Sequence, residues 1–126
     1  MNREELKLLI AAHYAACVDH PWRSFPNYEV FRHSGNRKWF AVVMDVPKNK
    51  LGLRGAARLD VVNLKCAPAM VGSLLSERGF FPAYHMNKNS WITVALDGSV
   101  PNERLEMLLD MSYRATAPKA HDRRRI

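Results

Sequence analysis

Apolar positions in the first twenty residues recur at the 3.6-residue period of one helical face, with Leu6, Leu9, Ile10, His13, Tyr14 and Cys17 on that face. Asn2 stands at the N-cap position and Glu5 follows three residues later, so a capped helix is predicted over about 3–18. Pro21 and Pro26 then interrupt regular structure, and the nearby aromatics Trp22, Phe25 and Tyr28 are expected to fold back onto the core. The runs Glu29 to His33 and Lys38 to Met44 flank the turn-forming Ser34-Gly35-Asn36-Arg37, which predicts a hairpin with Arg37 and Lys38 at its tip. From Pro47 to Arg58 the chain contains Gly52 and Gly55 and shows no period, so it reads as a long basic loop.

Leu59 to Lys65 alternates as a third strand. Pro68 suits the first turn of a second helix and Gly79 its left-handed C-terminal cap, with Met70, Val71, Leu74 and Leu75 as the apolar stripe. Ala67, at the cap position, has no side-chain oxygen to offer a backbone N–H. Phe80 to Tyr84 and Ser90 to Leu96 predict two more strands joined through residues 85–89, and Asp97-Gly98 ends the second of them. A last helix follows Ser99 and Pro101, buries Leu105, Leu108, Leu109 and Ser112, and stops before Pro118. The order α-β-β-β-α-β-β-α is that of an α+β two-layer sandwich: an antiparallel sheet, helices packed on one face, the other face left available.

The 126 residues are 48% hydrophobic and 25% charged, which suits one ordinary globular domain. No apolar run approaches the roughly 20 residues of a membrane span, and Arg3, Glu4, Glu5 and Lys7 make the first helix unlike a signal peptide, so a cytoplasmic protein with no membrane partner is expected. Cys17 and Cys66 lack the spacing of a zinc site or a disulfide framework and are expected as buried thiols. The net charge of +7 is localised. Residues 32–65 hold eight basic side chains against Asp45 and Asp60, and Lys119, Arg123, Arg124 and Arg125 lie in a basic stretch at 119–126 that is expected to be a flexible tail beyond a single domain at 1–118. Such a footprint suits a surface that meets phosphate.

No nucleophile elbow, Walker loop, dinucleotide fingerprint or zinc-protease motif is present, and no paired carboxylates suggest acid/base work. The expectation is a protein without enzymatic activity, cofactor or metal. One polar constellation remains: Asn63 and Lys65 on one strand, with His85, Asn87, Lys88 and Trp91 about the next turn. These groups could build an anion pocket from two ammoniums, two amides and a switchable imidazole. They could equally build a structural turn, with His85 and Asn87 bonded to backbone and Trp91 in the core.

Val62-Asn63-Leu64-Lys65-Cys66, Tyr84-His85-Met86-Asn87-Lys88, Trp91-Ile92-Thr93-Val94, Leu96-Asp97-Gly98-Ser99 and Ser112-Tyr113, with the earlier Lys38-Trp39-Phe40-Ala41, together resemble the MmcQ/YjbR family of small bacterial proteins over about residues 3–116. The resemblance implies a CyaY-like fold and a DNA-binding role; one namesake belongs to an antibiotic-resistance cluster, and no catalytic residues come with the match. Its motif residues here are Lys65, His85, Asn87, Lys88 and Trp91. The Pro47 to Arg58 stretch is longer than in shorter relatives. Glu4 and Glu5 are too few for the iron-binding ridge of frataxin-type proteins that share the fold. The leading expectation is therefore a monomer that contacts double-stranded DNA phosphates through Arg37, Lys38, Lys48, Lys50, Arg54, Arg58, Lys65 and Lys88, with weak sequence preference. The competing expectation is a small-ligand or anion-binding, drug-sequestering protein with a pocket around His85, Lys88 and Trp91. A concave aromatic cavity favours the second and a flat positive surface the first.

Overall fold

A computed structural model describes residues 1–118; the basic tail at 119–126 lies outside the described residues. The capping box forms as the sequence predicts: the Asn2 side chain accepts from the Glu5 N–H and the Glu5 carboxylate accepts from the Asn2 N–H, each at 2.9 Å. It starts α1 (Arg3–His13). The chain continues through β1 (Ala16–Asp19), β2 (Glu29–His33), β3 (Trp39–Pro47), β4 (Arg58–Lys65), α2 (Pro68–Leu75), β5 (Phe80–Pro82), β6 (Trp91–Ala95) and α3 (Asn102–Thr116). All six strands pair antiparallel in the order β1-β2-β3-β4-β6-β5. This is the expected α+β sandwich. None of the described helices is long and apolar enough to cross a membrane.

Strand alternation splits the interior in two. On one face Phe31, Phe40, Val43, Val62, Leu64, Ile92 and Val94 meet Leu6 and Ile10 of α1, Leu74 of α2, and Leu105, Leu108 and Leu109 of α3. On the other, Tyr28, Val30, Val42, Met44, Val46, Leu59, Val61 and Ala95 form a smaller core with no α-helix over it among the described residues. The chain between β1 and β2, carrying Trp22, and residues 84–86 cover part of that face. The face expected to be free is therefore partly roofed by aromatic side chains.

Four local expectations change. α1 ends at His13, not 18, because Tyr14 turns extended and sets its ring 4.7 Å from Tyr113, while the β-prone Ala16–Asp19 gains ladder bonds to β2 as an edge strand. Cys17 on that edge is consequently half-buried, and only Cys66 is a buried thiol. The Pro47 to Arg58 stretch is an ordered hairpin end: a 3-10 turn at Lys48–Leu51, closed by bonds from Lys48 N–H to Ala57 O and Asn49 N–H to Gly55 O. Gly79 is left-handed at φ 89°, yet α2 is capped by Ser76, so this glycine serves a later turn.

The α1 helix is clamped to β2 by one carboxylate. Glu29, 6% exposed, receives Arg3 at 3.0 Å, Lys7 at 3.1 Å and His20 at 3.5 Å. Burial alone pushes its carboxyl up, but the Arg3 and Lys7 hydrogen bonds and charges outweigh it and hold the group below its ordinary value. A carboxyl depressed by folding stabilises the native state above its unfolded value and loses that contribution as pH falls. Glu29→Gln is expected to lower stability by about 2 kcal/mol at pH 7, the scale of hydrogen bonds to charged groups. In urea titrations that deficit shrinks as pH falls below about 5, through the unfolded value and on toward the lower native one, as the wild-type carboxyl takes up its proton. A deficit constant across this range contradicts the clamp.

Candidate functional site

The helix-free face holds a cavity of about 310 Å³ lined by Trp22, Phe25, Tyr28, Trp39, Val42, Met44, Asn63, Tyr84, His85 and Met86. Its floor is the sheet: Val42 and Met44 from β3, and Asn63 from β4. Its walls are aromatic. Trp22 meets Trp39 edge-on at 5.7 Å and Tyr28 at 5.9 Å, and Phe25 stacks on Tyr28 at 4.7 Å. Arg32, ion-paired with Asp19, lies 5.4 Å from the Trp39 ring centre and braces its orientation. Rings this large leave gaps when they meet at right angles, and a gap lined by apolar atoms is a place where an apolar guest replaces poorly bonded water.

The opposite wall is set by a buried polar triangle. Asn63 donates from Nδ2 to the Tyr84 carbonyl at 2.9 Å, Thr93 Oγ1 donates to Asn63 Oδ1 at 2.5 Å, and the Tyr84 N–H donates to Thr93 Oγ1 at 2.9 Å. Asn63 and Thr93 are fully buried directly across the β4–β6 ladder. The network fixes Tyr84, whose ring centre lies 3.9 Å from that of His85 with the planes tilted by 50°, and His85 takes a left-handed backbone at φ 60°. The Asn63 side chain thus serves as the anchor of the cavity wall. Asn87 has a turn-building role: its Oδ1 accepts from the Asn89 N–H at 2.9 Å and its carbonyl from Ser90 at 3.3 Å.

Of the polar constellation expected in the sequence, Asn63 and His85 line this cavity; Lys65, Asn87, Lys88 and Trp91 do not. Trp91 is buried opposite Lys65 in the β4–β6 ladder, and the Lys65 N–H donates to Ser112. Lys88 borders a second depression, about 330 Å³, lined by Lys50, Leu51, Pro82, Ala83, Tyr84, His85 and Lys88. The cations expected to act together separate into groups. Arg37 and Lys38 precede β3 while Lys48, Lys50 and Arg54 follow it, so the nine-residue strand holds the two groups roughly 30 Å apart. Arg58 Nε is 2.7 Å from Asp45 Oδ2, and Arg37 lies 3.9 Å from Asp19. The cavity aromatics Trp22, Phe25, Trp39 and Tyr84 were not expected as ligand contacts: Trp22 and Phe25 read as core residues beside Pro21 and Pro26, and Trp39 and Tyr84 stand within the blocks that resemble the family.

Among the described residues no group of three or more His, Cys, Asp or Glu side chains is arranged to hold a metal ion. Two further buried polar side chains tie α3 to the sheet. His33 Nε2 lies 2.8 Å from both the Tyr113 carbonyl and Thr116 Oγ1, and burial pushes its imidazole below the ordinary value, so it serves as a neutral link from β2 to α3. Ser112 donates to the Phe40 carbonyl at 2.6 Å and ties α3 to β3.

Comparison with known proteins agrees with the fold and with the family resemblance. The chain is 34% identical to the Bacillus subtilis protein YyaQ over 92% of its own length and 98% of that protein. It is similar to a crystal structure from Pseudomonas syringae with 45% identity and a TM-score of 0.90, covering 93% of this chain and all of that one. A Deinococcus radiodurans structure at 22% identity and a TM-score of 0.73, covering 98% and 86% of the two chains, shares the fold. A family model described as YjbR matches residues 11–115, which include the aromatic strap, the Asn63 triangle and His85, and the chain belongs to the YjbR family.

Proposed function

We propose that this YjbR-family protein binds a small, largely apolar aromatic molecule in the cavity of its helix-free sheet face. The observation that supports this reading is the cavity itself: about 310 Å³, walled by Trp22, Phe25, Trp39 and Tyr84 and floored by a buried sheet. That size lies at the lower end of the roughly 300–1,000 Å³ usual for ligand clefts and suits a guest of one or two fused rings. Each buried square ångström of apolar surface favours binding by about 25 cal/mol, and ring-on-ring contacts add orientation.

A neutral fluorescent aromatic, N-phenyl-1-naphthylamine, is expected to brighten on saturable binding and to quench the indoles by energy transfer. Trp22→Phe combined with Trp39→Phe weakens binding by about tenfold or more, on the scale of ring-contact losses. Trp91→Phe, remote from the cavity walls, leaves it unchanged. Non-saturable brightening, or brightening indifferent to the Trp22 and Trp39 changes, contradicts the reading.

A second reading, contact with duplex DNA phosphates, is favoured by one observation. Among the described residues Lys38, Lys48, Lys50, Arg54, Lys65 and Lys88 have no carboxylate within 4.0 Å. A duplex engaging all six must run along β3. Six phosphate contacts release counterions such that log affinity falls with log salt at a slope of about −5, and a slope near zero removes this reading.

A further inference from the structure

We infer that the ligand of the cavity is an aromatic acid, its ring among Trp22, Trp39 and Tyr84 and its anionic group at the rim toward Lys50 and Lys88. The inference rests on the cavity reading above and adds the chemical class. Tyr84 and His85 line both the aromatic cavity and the neighbouring 330 Å³ depression, so the two hollows share a wall. No Asp or Glu lines either of them, and the second contributes two lysines. A third cleft contrasts with both: Arg3, Lys7 and His20 there pair with Glu29, and Arg3 also with Asp60, so its cations find partners internally.

Two separate backbone devices bring the lysines to this rim. Lys50 sits in the 3-10 turn, whose next residue, Leu51, packs against the smaller core and draws the hairpin end over the sheet face. Gly52 at φ 80° then reverses the chain. Lys88 follows Asn87, the residue whose side chain builds the turn into β6. Arg32 on β2 and Arg58 on β4 are held by Asp19 and Asp45 instead. Ammoniums without carboxylate partners beside an apolar hollow favour a guest that brings its own negative charge, and a charge-assisted hydrogen bond rewards it only at that rim.

The test compares 2-naphthoate with its neutral isostere 2-naphthamide by calorimetry on the full chain. The acid is expected to bind about tenfold tighter, the scale of one charge-assisted hydrogen bond. Lys50→Gln with Lys88→Gln removes that advantage while amide binding persists. Arg37→Gln with Lys38→Gln, which takes away the same charge at the far end of β3, leaves the advantage in place. Equal binding of acid and amide by the wild type overturns the anion inference and retains the cavity. Binding of neither compound overturns both. An advantage lost equally in the Arg37/Lys38 variant reduces it to the overall positive field and also overturns the inference.

Discussion

Asn63→Ala is expected to destabilise the protein by about 2–4 kcal/mol and to abolish cavity binding together. The side chain is fully buried and closes a triangle in which the Tyr84 carbonyl, the Thr93 hydroxyl and its own amide satisfy one another. Removing it leaves the Tyr84 carbonyl without its donor and the Thr93 O–H without its acceptor, at about 1–3 kcal/mol for each buried group left unpaired, and adds a void. Thr93→Val, which keeps the volume and deletes the hydroxyl, strands Asn63 Oδ1 and the Tyr84 N–H in turn. Because both changes break one network, the double variant loses much less than the sum of the two. Denaturant titration of the four proteins measures this. Additive losses, or an Asn63→Ala loss below about 0.5 kcal/mol, contradict the triangle as the anchor of the cavity wall.

Gly79→Ala is the second large effect, at about 2–4 kcal/mol. Gly79 sits at φ 89°, a conformation that disfavours any Cβ by roughly 1–2 kcal/mol. The added methyl meets Ser99 Oγ and Val100 Cγ2, each at 2.6 Å, which brings overpacking of about 1–3 kcal/mol. Val100 is a core residue and the Gly79 carbonyl accepts from the Ala95 N–H at 2.8 Å, so neither side yields easily. Two internal controls separate the contributions. Gly55, at φ 92° with nothing within 4 Å of a new Cβ, carries the backbone penalty alone. Gly72 in α2 has open space and ordinary helical backbone, so Gly72→Ala stabilises by about 0.5–1 kcal/mol. A Gly79→Ala loss no greater than that of Gly55→Ala contradicts the close packing of this turn.

Much of the fold was legible because its signals are local. The Asn2/Glu5 box, the Ser34 to Arg37 turn and the apolar face of α3 with Ser112 among leucines each depend on neighbours within a few residues. β1 was not legible. Ala16 to Asp19 lies in phase with the helix before it, and its strand form comes from pairing with Val30 to His33, a choice made by tertiary contact. The site was readable only in part for the same reason. Asn63 and His85 stand in recognisable motifs, but whether Trp22 and Phe25 fill a core or leave a hollow is decided by how rings meet across the sheet. Nor does the sequence reveal that Lys50 and Lys88 share a depression, since the bend that carries Lys50 there is made by Leu51 finding an apolar seat. Charge counting located the basic segment correctly; it could not foresee that β3 would hold Lys38 and Lys48 at its opposite ends.

The measurement that bears most directly on the cavity is a backbone and side-chain NMR shift map of the protein titrated with 2-naphthamide, a guest without charge. Saturable shifts confined to Trp22, Phe25, Tyr28, Trp39, Val42, Met44, Asn63, Tyr84, His85 and Met86, with the indole N–H of Trp91 unmoved, are the result predicted. Shifts spread over the helical face, gathered at the Lys48 to Arg58 hairpin end, or absent at saturating guest contradict a ligand site on this face of the sheet.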